Sequence, residues 1–141
     1  EQTMLRLYLN PVQEQIPIRR VLALEEVRQL SQLVAGVHLD ERITRYIVEL
    51  VTATRRPGDY RLQSLAPQIA YGASPRATLA FAHVAKGYAL LQGRPFVMPE
   101  DIKAIARDVL RHRLILNYEA AAEQITADQI VDQILMAVAV P

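Results

Sequence analysis

Tyr71-Gly72-Ala73-Ser74-Pro75-Arg76-Ala77, running on through TLAFAHVAKGYALLQ (78–92) to Gly93, is the stretch that decides the fold. Ser74 is a good N-cap, Pro75 at the first helical position lacks only an N–H that would be unpaired there, and Gly93 is a natural stop. This predicts a helix over about 75–92. Leu79, Phe81, Ala82, Val84, Ala85, Tyr88, Ala89 and Leu91 make it apolar nearly all the way round, so it is expected to be a buried central helix. Its start also holds a constellation with chemical potential. A helix N-terminus offers unpaired N–H groups and partial positive charge, and Arg76 adds a planar fork of donors, which together suit a phosphate. The competing reading is a plain cap beside a solvated arginine, and spacing alone favours it.

Working outward, helical periods dominate. Leu24, Val27, Leu30 and Val34 form a stripe closed by Gly36, predicting a helix over about 24–35. Asp40 is the N-cap for a second helix over about 41–56, with Ile43, Tyr46, Ile47, Leu50 and Val51 on one face. Residues 57–74 read as a long connection, held to the core by Leu62, Leu65 and Ile69 through at most a single helical turn. Pro99-Glu100-Asp101 opens a helix with the stripe Ile102, Ile105, Ala106, Val109 and Leu110, its first-turn acids matching the macrodipole. Thr126 and Gln129 make a capping box for a last helix ending near Ala137, and a short helix is expected over Glu119–Glu123. Val37–Leu39, Phe96–Met98 and Leu114–Leu116 are very short extended pieces, and Met4–Leu9, stopped by Asn10-Pro11, reads as a strand. The expected fold class is all-α, a small helical bundle.

Composition bounds the function. The 141 residues are 51% hydrophobic with a formal charge of +1, which suits one globular domain and gives no field to grip nucleic acid or a membrane unspecifically. There is no cysteine, and His38, His83 and His112 are far apart with no paired motif, so no metal site is expected. The five glycines form neither a GxxxxGK[ST] loop nor GxGxxG, and GxSxG is absent, so the chain carries no recognisable catalytic apparatus of its own. No apolar run reaches the roughly 18 residues of a membrane helix, and a cytoplasmic location is the expectation. Position 1 is Glu1 rather than methionine, so a piece of a longer protein is expected.

Tyr46 to Arg55 (YIVELVTATR), Gly72 to Ala77 (GASPRA), Gly93-Arg94, Val97, Pro99 to Ile102 and Val109 to Arg113 (VLRHR) resemble, in order and spacing, the C-terminal half of the MoxR family of AAA+ ATPases over residues 37–141. Val138 to Pro141 resembles the family's usual ending, and Met4 to Pro11 resembles the last strand of the preceding ATPase module. The resemblance implies a division into residues 1–20, the end of that module and a connector, and 21–141, a helical lid over bound nucleotide. It implies that Arg76 is the sensor 2 arginine, binding and reporting the γ-phosphate of ATP held with Mg²⁺, and so the residue in contact with both cofactor and chemistry. Ser74 and Pro75 would build the helix start; Arg113 would close a helix end or reach a neighbouring subunit. The implied partners are the lid's own ATPase module, neighbouring subunits of a ring homo-oligomer, and a client protein matured in a chaperone-like way. Without the Walker motifs, this chain alone is expected not to hydrolyse ATP. The alternative reading is a helical nucleic-acid-binding or adaptor and oligomerisation module, since Lys+Arg total 16 and all but Lys86 and Lys103 are arginine.

Overall fold

Leu24–Gly36 forms helix α1 and Glu41–Ala53 helix α2 in the computed structural model, which describes Gln2, Leu5, Leu9 and residues 19–141. The Asp40 carboxylate caps α2, accepting from the Arg42 N–H at 2.8 Å. The helix stops three residues before the expected 56. The Thr54 hydroxyl donates to the Val51 carbonyl at 2.6 Å, and the Arg55 and Arg56 amides both turn back to Thr52, tightening the last turn.

The connection that follows is more ordered than its sequence suggested. It contains two 3₁₀ turns, Pro57–Tyr60 and Gln63–Gln68, and strand β1, Ile69–Tyr71, which pairs antiparallel with β2, Ile115–Leu116. Leu62 and Leu65 are buried and hold it to the core, as expected of them. Helix α3 spans Arg76–Leu91, α4 Pro99–Leu110, α5 Tyr118–Ala122 and α6 Ala127–Ala137. Packing of α3 against α4 and α2, and of α4 against α6, makes the core. The extended pieces at His38 and Phe96 meet in a parallel bridge: His38 N–H donates to Pro95, and Val97 N–H to His38. Among the described residues the fold class is thus all-α with one two-stranded ribbon.

Several expectations change. α3 is not buried all round: Ala77, Phe81, Ala85 and Ala89, one residue per turn, face the core, while Leu79 is 62% and Leu91 84% exposed. Its neighbours lie along that one stripe, where the alanines let the helices approach closely; Ala80, Tyr88 and Leu90 flank the stripe half-buried, and Leu79, Val84 and Leu91 point outward. No residue of α1 is buried, so its stripe Leu24, Val27 and Leu30 is exposed, and Gly36 ends the helix without a positive φ. Leu5 and Leu9, within the stretch expected as a strand, are helical, and with Gln2 they follow a helical spacing; the remainder of that stretch lies outside the described residues.

Side-chain pairs lock the bundle's seams. Arg107 reaches Asp132 at 2.9 and 2.7 Å and Arg111 reaches Asp128 at 3.0 and 3.0 Å, both as two-pronged contacts between α4 and α6. By contacts the chain divides into two compact units, Glu1–Leu30 and Ser31–Pro141. Among the described residues no helix is long and apolar enough to cross a membrane.

Candidate functional site

The start of α3 is built against the end of α2. Gly72 lies so close to α2 that an added Cβ would stand 2.3 Å from the Thr54 carbonyl oxygen and 2.8 Å from Arg55 Cγ, so only glycine fits. Ala73, fully buried, is held on both polar groups of its backbone: its N–H donates to Thr54 Oγ1 at 2.9 Å, and its carbonyl accepts from Arg55 Nη1 at 2.8 Å. Thr54 is likewise 0% exposed. Pro75 then takes helical angles, φ −55° and ψ −21°, and Arg76 begins the helix.

Among the described residues no side chain caps this helix, contrary to the expectation for Ser74. Ser74 serves through its carbonyl, which accepts from Ala77 N–H at 2.8 Å, and Pro75 accepts from Thr78 N–H at 3.1 Å. The first amides are therefore already bonded in a tight turn, and the hydroxyl is not needed. This alters the phosphate argument: fewer free N–H groups remain at the helix start, and the weight falls on the Arg76 side chain. Arg76 is exposed and its side chain, among the described residues, has no hydrogen-bond or ion-pair partner.

Other arginines near the resemblance motifs are engaged. Arg94 grips Asp101 with Nη1 to Oδ2 at 2.7 Å and Nη2 to Oδ1 at 2.5 Å, and the same carboxylate accepts from Met98 N–H at 2.8 Å, closing the start of α4. Burial pushes the Asp101 carboxyl up, but the Arg94 and Met98 hydrogen bonds outweigh it and hold the group below its ordinary value. At the other end of α3, Gly93 has φ +72°, Gly93 N–H bonds to Leu90 and Arg94 N–H to Ala89, a Schellman stop that delivers Arg94 to Asp101. Arg113 is half-buried and donates to the Val109 carbonyl at 2.6 Å, which fits the helix-end role. The sequence points to no role for Thr54 or Arg55, and for Asp101 only to that of a first-turn acid. The signal for the first two was TATR preceding GASPRA, which spacing alone does not bring together.

The histidines serve locally: His83 Nδ1 lies 2.8 Å from the Leu79 carbonyl, and His112 meets Arg113. Among the described residues no group of three or more His, Cys, Asp or Glu side chains could hold a metal. A groove of about 840 Å³, lined by Val34, His38, Ala82, His83 and Lys86 among others, opens beside α3 without including Arg76. Arg76 is thus an exposed cation on a rigid base, without a side-chain partner among the described residues and able to complete an anion site furnished from elsewhere.

The AAA lid domain family matches residues 62–134. Chaperone MoxR1 of Mycobacterium tuberculosis is 34% identical over 123 residues, covering 87% of this chain and 33% of that protein. The uncharacterized protein YeaC of Bacillus subtilis is 40% identical over 121 residues, 86% of this chain and 35% of its own length. The crystal structure of a candidate ATPase from Cytophaga hutchinsonii superposes with a TM-score of 0.84 at 37% identity, covering all of this chain and 43% of that one. The chain spans about a third of the length of the curated relatives it matches.

Proposed function

The chain belongs to the MoxR family of AAA ATPases as its lid domain, and from that premise we propose that it closes over ATP bound by an ATPase module, with Arg76 as the sensor 2 residue. The observation that carries this is the pairing of a rigid base with an uncommitted cation: Ala73 is clamped on both sides, while Arg76 has no partner among the described residues. A guanidinium so held meets the γ-phosphate without reorganising, and stabilises charge that builds on its oxygens during transfer. Mg²⁺, the phosphate cradle and the attacking water belong to the ATPase module in this reading. Residues 1–20 are the end of that module and its connector. Leu79 and His83 share the outward face of α3 with Arg76 and are the surface turned toward the module.

In the whole protein, ring neighbours and a client are the further partners of this reading, and the nucleotide cycle drives chaperone-like maturation in the cytoplasm. Arg76→Ala in the full-length protein is expected to lower ATP turnover by about 10² to 10³ with an unchanged thermal midpoint, and Arg76→Lys to restore part of it, keeping the charge without the fork. Unchanged turnover in Arg76→Ala overturns the reading. The chain of 141 residues alone is expected to hydrolyse no ATP, and steady hydrolysis by it would contradict the lid assignment of activity.

A further inference from the structure

Ala73 lies three residues before Arg76, and both of its backbone polar groups are held by the end of α2. The Thr54 hydroxyl gives its proton to the Val51 carbonyl at 2.6 Å, so it meets the Ala73 N–H as an acceptor only. Gly72 is pressed on the Thr54 carbonyl with no room for a Cβ. Moving the Ala73 backbone would break two hydrogen bonds, one of them fully buried, and leave an N–H without a partner. Between the clamp and Arg76 there is little slack: Pro75 has a fixed φ, and the Ala77 and Thr78 amides are bonded back to Ser74 and Pro75.

We infer that Thr54 and Arg55 are positioning residues for Arg76, setting the direction in which its guanidinium is presented while touching no ligand themselves. The inference rests on the Arg76 reading above and adds the residues on which Arg76 depends. Arg55 spends an Nη1 donor on the Ala73 carbonyl, and in this inference its side chain acts on the loop.

The test is a double-mutant cycle on ATP turnover in the full-length protein. Thr54→Val keeps the shape and removes the acceptor; it should lower turnover about tenfold, with Thr54→Ser retaining most of the activity. Arg55→Ala should fall similarly. Placed on Arg76→Ala, either change should lower turnover no further than about twofold, because the group it positions is gone. A purely structural role would not give that non-additivity. Should Thr54→Val fail to melt cooperatively, Arg55→Ala with its double carries the same test, since that side chain is exposed. Losses that multiply in the doubles, or unimpaired turnover in both single variants beside an impaired Arg76→Ala, overturn the inference and leave the Arg76 reading standing. An unimpaired Arg76→Ala overturns that reading, and the inference with it.

Discussion

The two ends of α3 each carry an arginine, and the two are used in opposite ways. Arg94, just past the C-terminal end, is bound on both prongs to Asp101, a carboxylate only 2% exposed, and joins α3 to α4. Arg76, at the N-terminal end, stands on an equally fixed backbone and has no partner among the described residues. The residue type is the same, so the difference lies in what surrounds each side chain. An arginine that closes a structural seam has its donors satisfied inside the fold, whereas one held ready for a ligand has a rigid base and an open fork. Arg107 and Arg111 belong with Arg94, since each grips an aspartate of α6.

The sharpest way to break the contrast on the structural side is to remove Asp101. Its carboxylate accepts three hydrogen bonds, two from Arg94 and one from Met98 N–H, so Asp101→Ala should cost about 2 to 4 kcal/mol in chemical denaturation. Arg94→Ala should lower the midpoint too, and Arg76→Ala should not. Acid sharpens the same point. Because the carboxyl is held below its ordinary value in the folded chain, its stabilisation is present above the unfolded value of about 3.9 and is lost as pH falls through the folded one. The midpoint gap between the native chain and Asp101→Asn should therefore shrink on titration below about pH 4, and a constant gap would refute the linkage.

Next in size is the contrast between the two faces of α3. Ala85 is fully buried on the core stripe, whereas Ala82 is only half-buried beside the groove. Ala85→Leu should destabilise by about 1 to 3 kcal/mol through overpacking, and Ala82→Leu by clearly less. Equal midpoints in urea would mean that the face assignment is wrong.

The smallest effect is at Gln124, whose φ of +56° follows α5 in a Schellman-like stop, with Gln124 N–H bonded to Ala121 and Ile125 N–H to Ala120. Gln124→Gly should stabilise by about 0.5 to 1 kcal/mol in denaturation, since glycine adopts that conformation without a Cβ penalty.

Which parts of this were legible in the sequence follows from how local their causes are. Caps and stripes are local, and Asp40, the Thr126–Gln129 box, Gly93 and the core face of α2 were all readable. What was missed depends on neighbours distant in the chain. The apolar residues of α3 do not disclose that its neighbours lie along one stripe, so the pattern predicts burial for Leu79 and Leu91, which are exposed. The 57–74 segment looked like a loop because its strand is three residues long and its partner lies beyond two helices, at Ile115–Leu116. Arg76 stood out because cap, proline and arginine are adjacent. Thr54 and Arg55 did not, because they meet Ala73 across 19 and 18 positions of sequence. The sequence shows Asp101 only as a first-turn acid, whereas its main bond is to an arginine that precedes the helix.

The measurement that bears most directly on the account is the thermal midpoint of the full-length protein and its Arg76→Ala variant, each with and without a saturating non-hydrolysable ATP analogue and Mg²⁺. A group that contributes to ligand and not to fold leaves the nucleotide-free midpoints equal, and makes the stabilisation by ligand larger in the native protein than in the variant. The account predicts that pair of results. Equal ligand-induced shifts, or a lowered midpoint of Arg76→Ala without nucleotide, would contradict it.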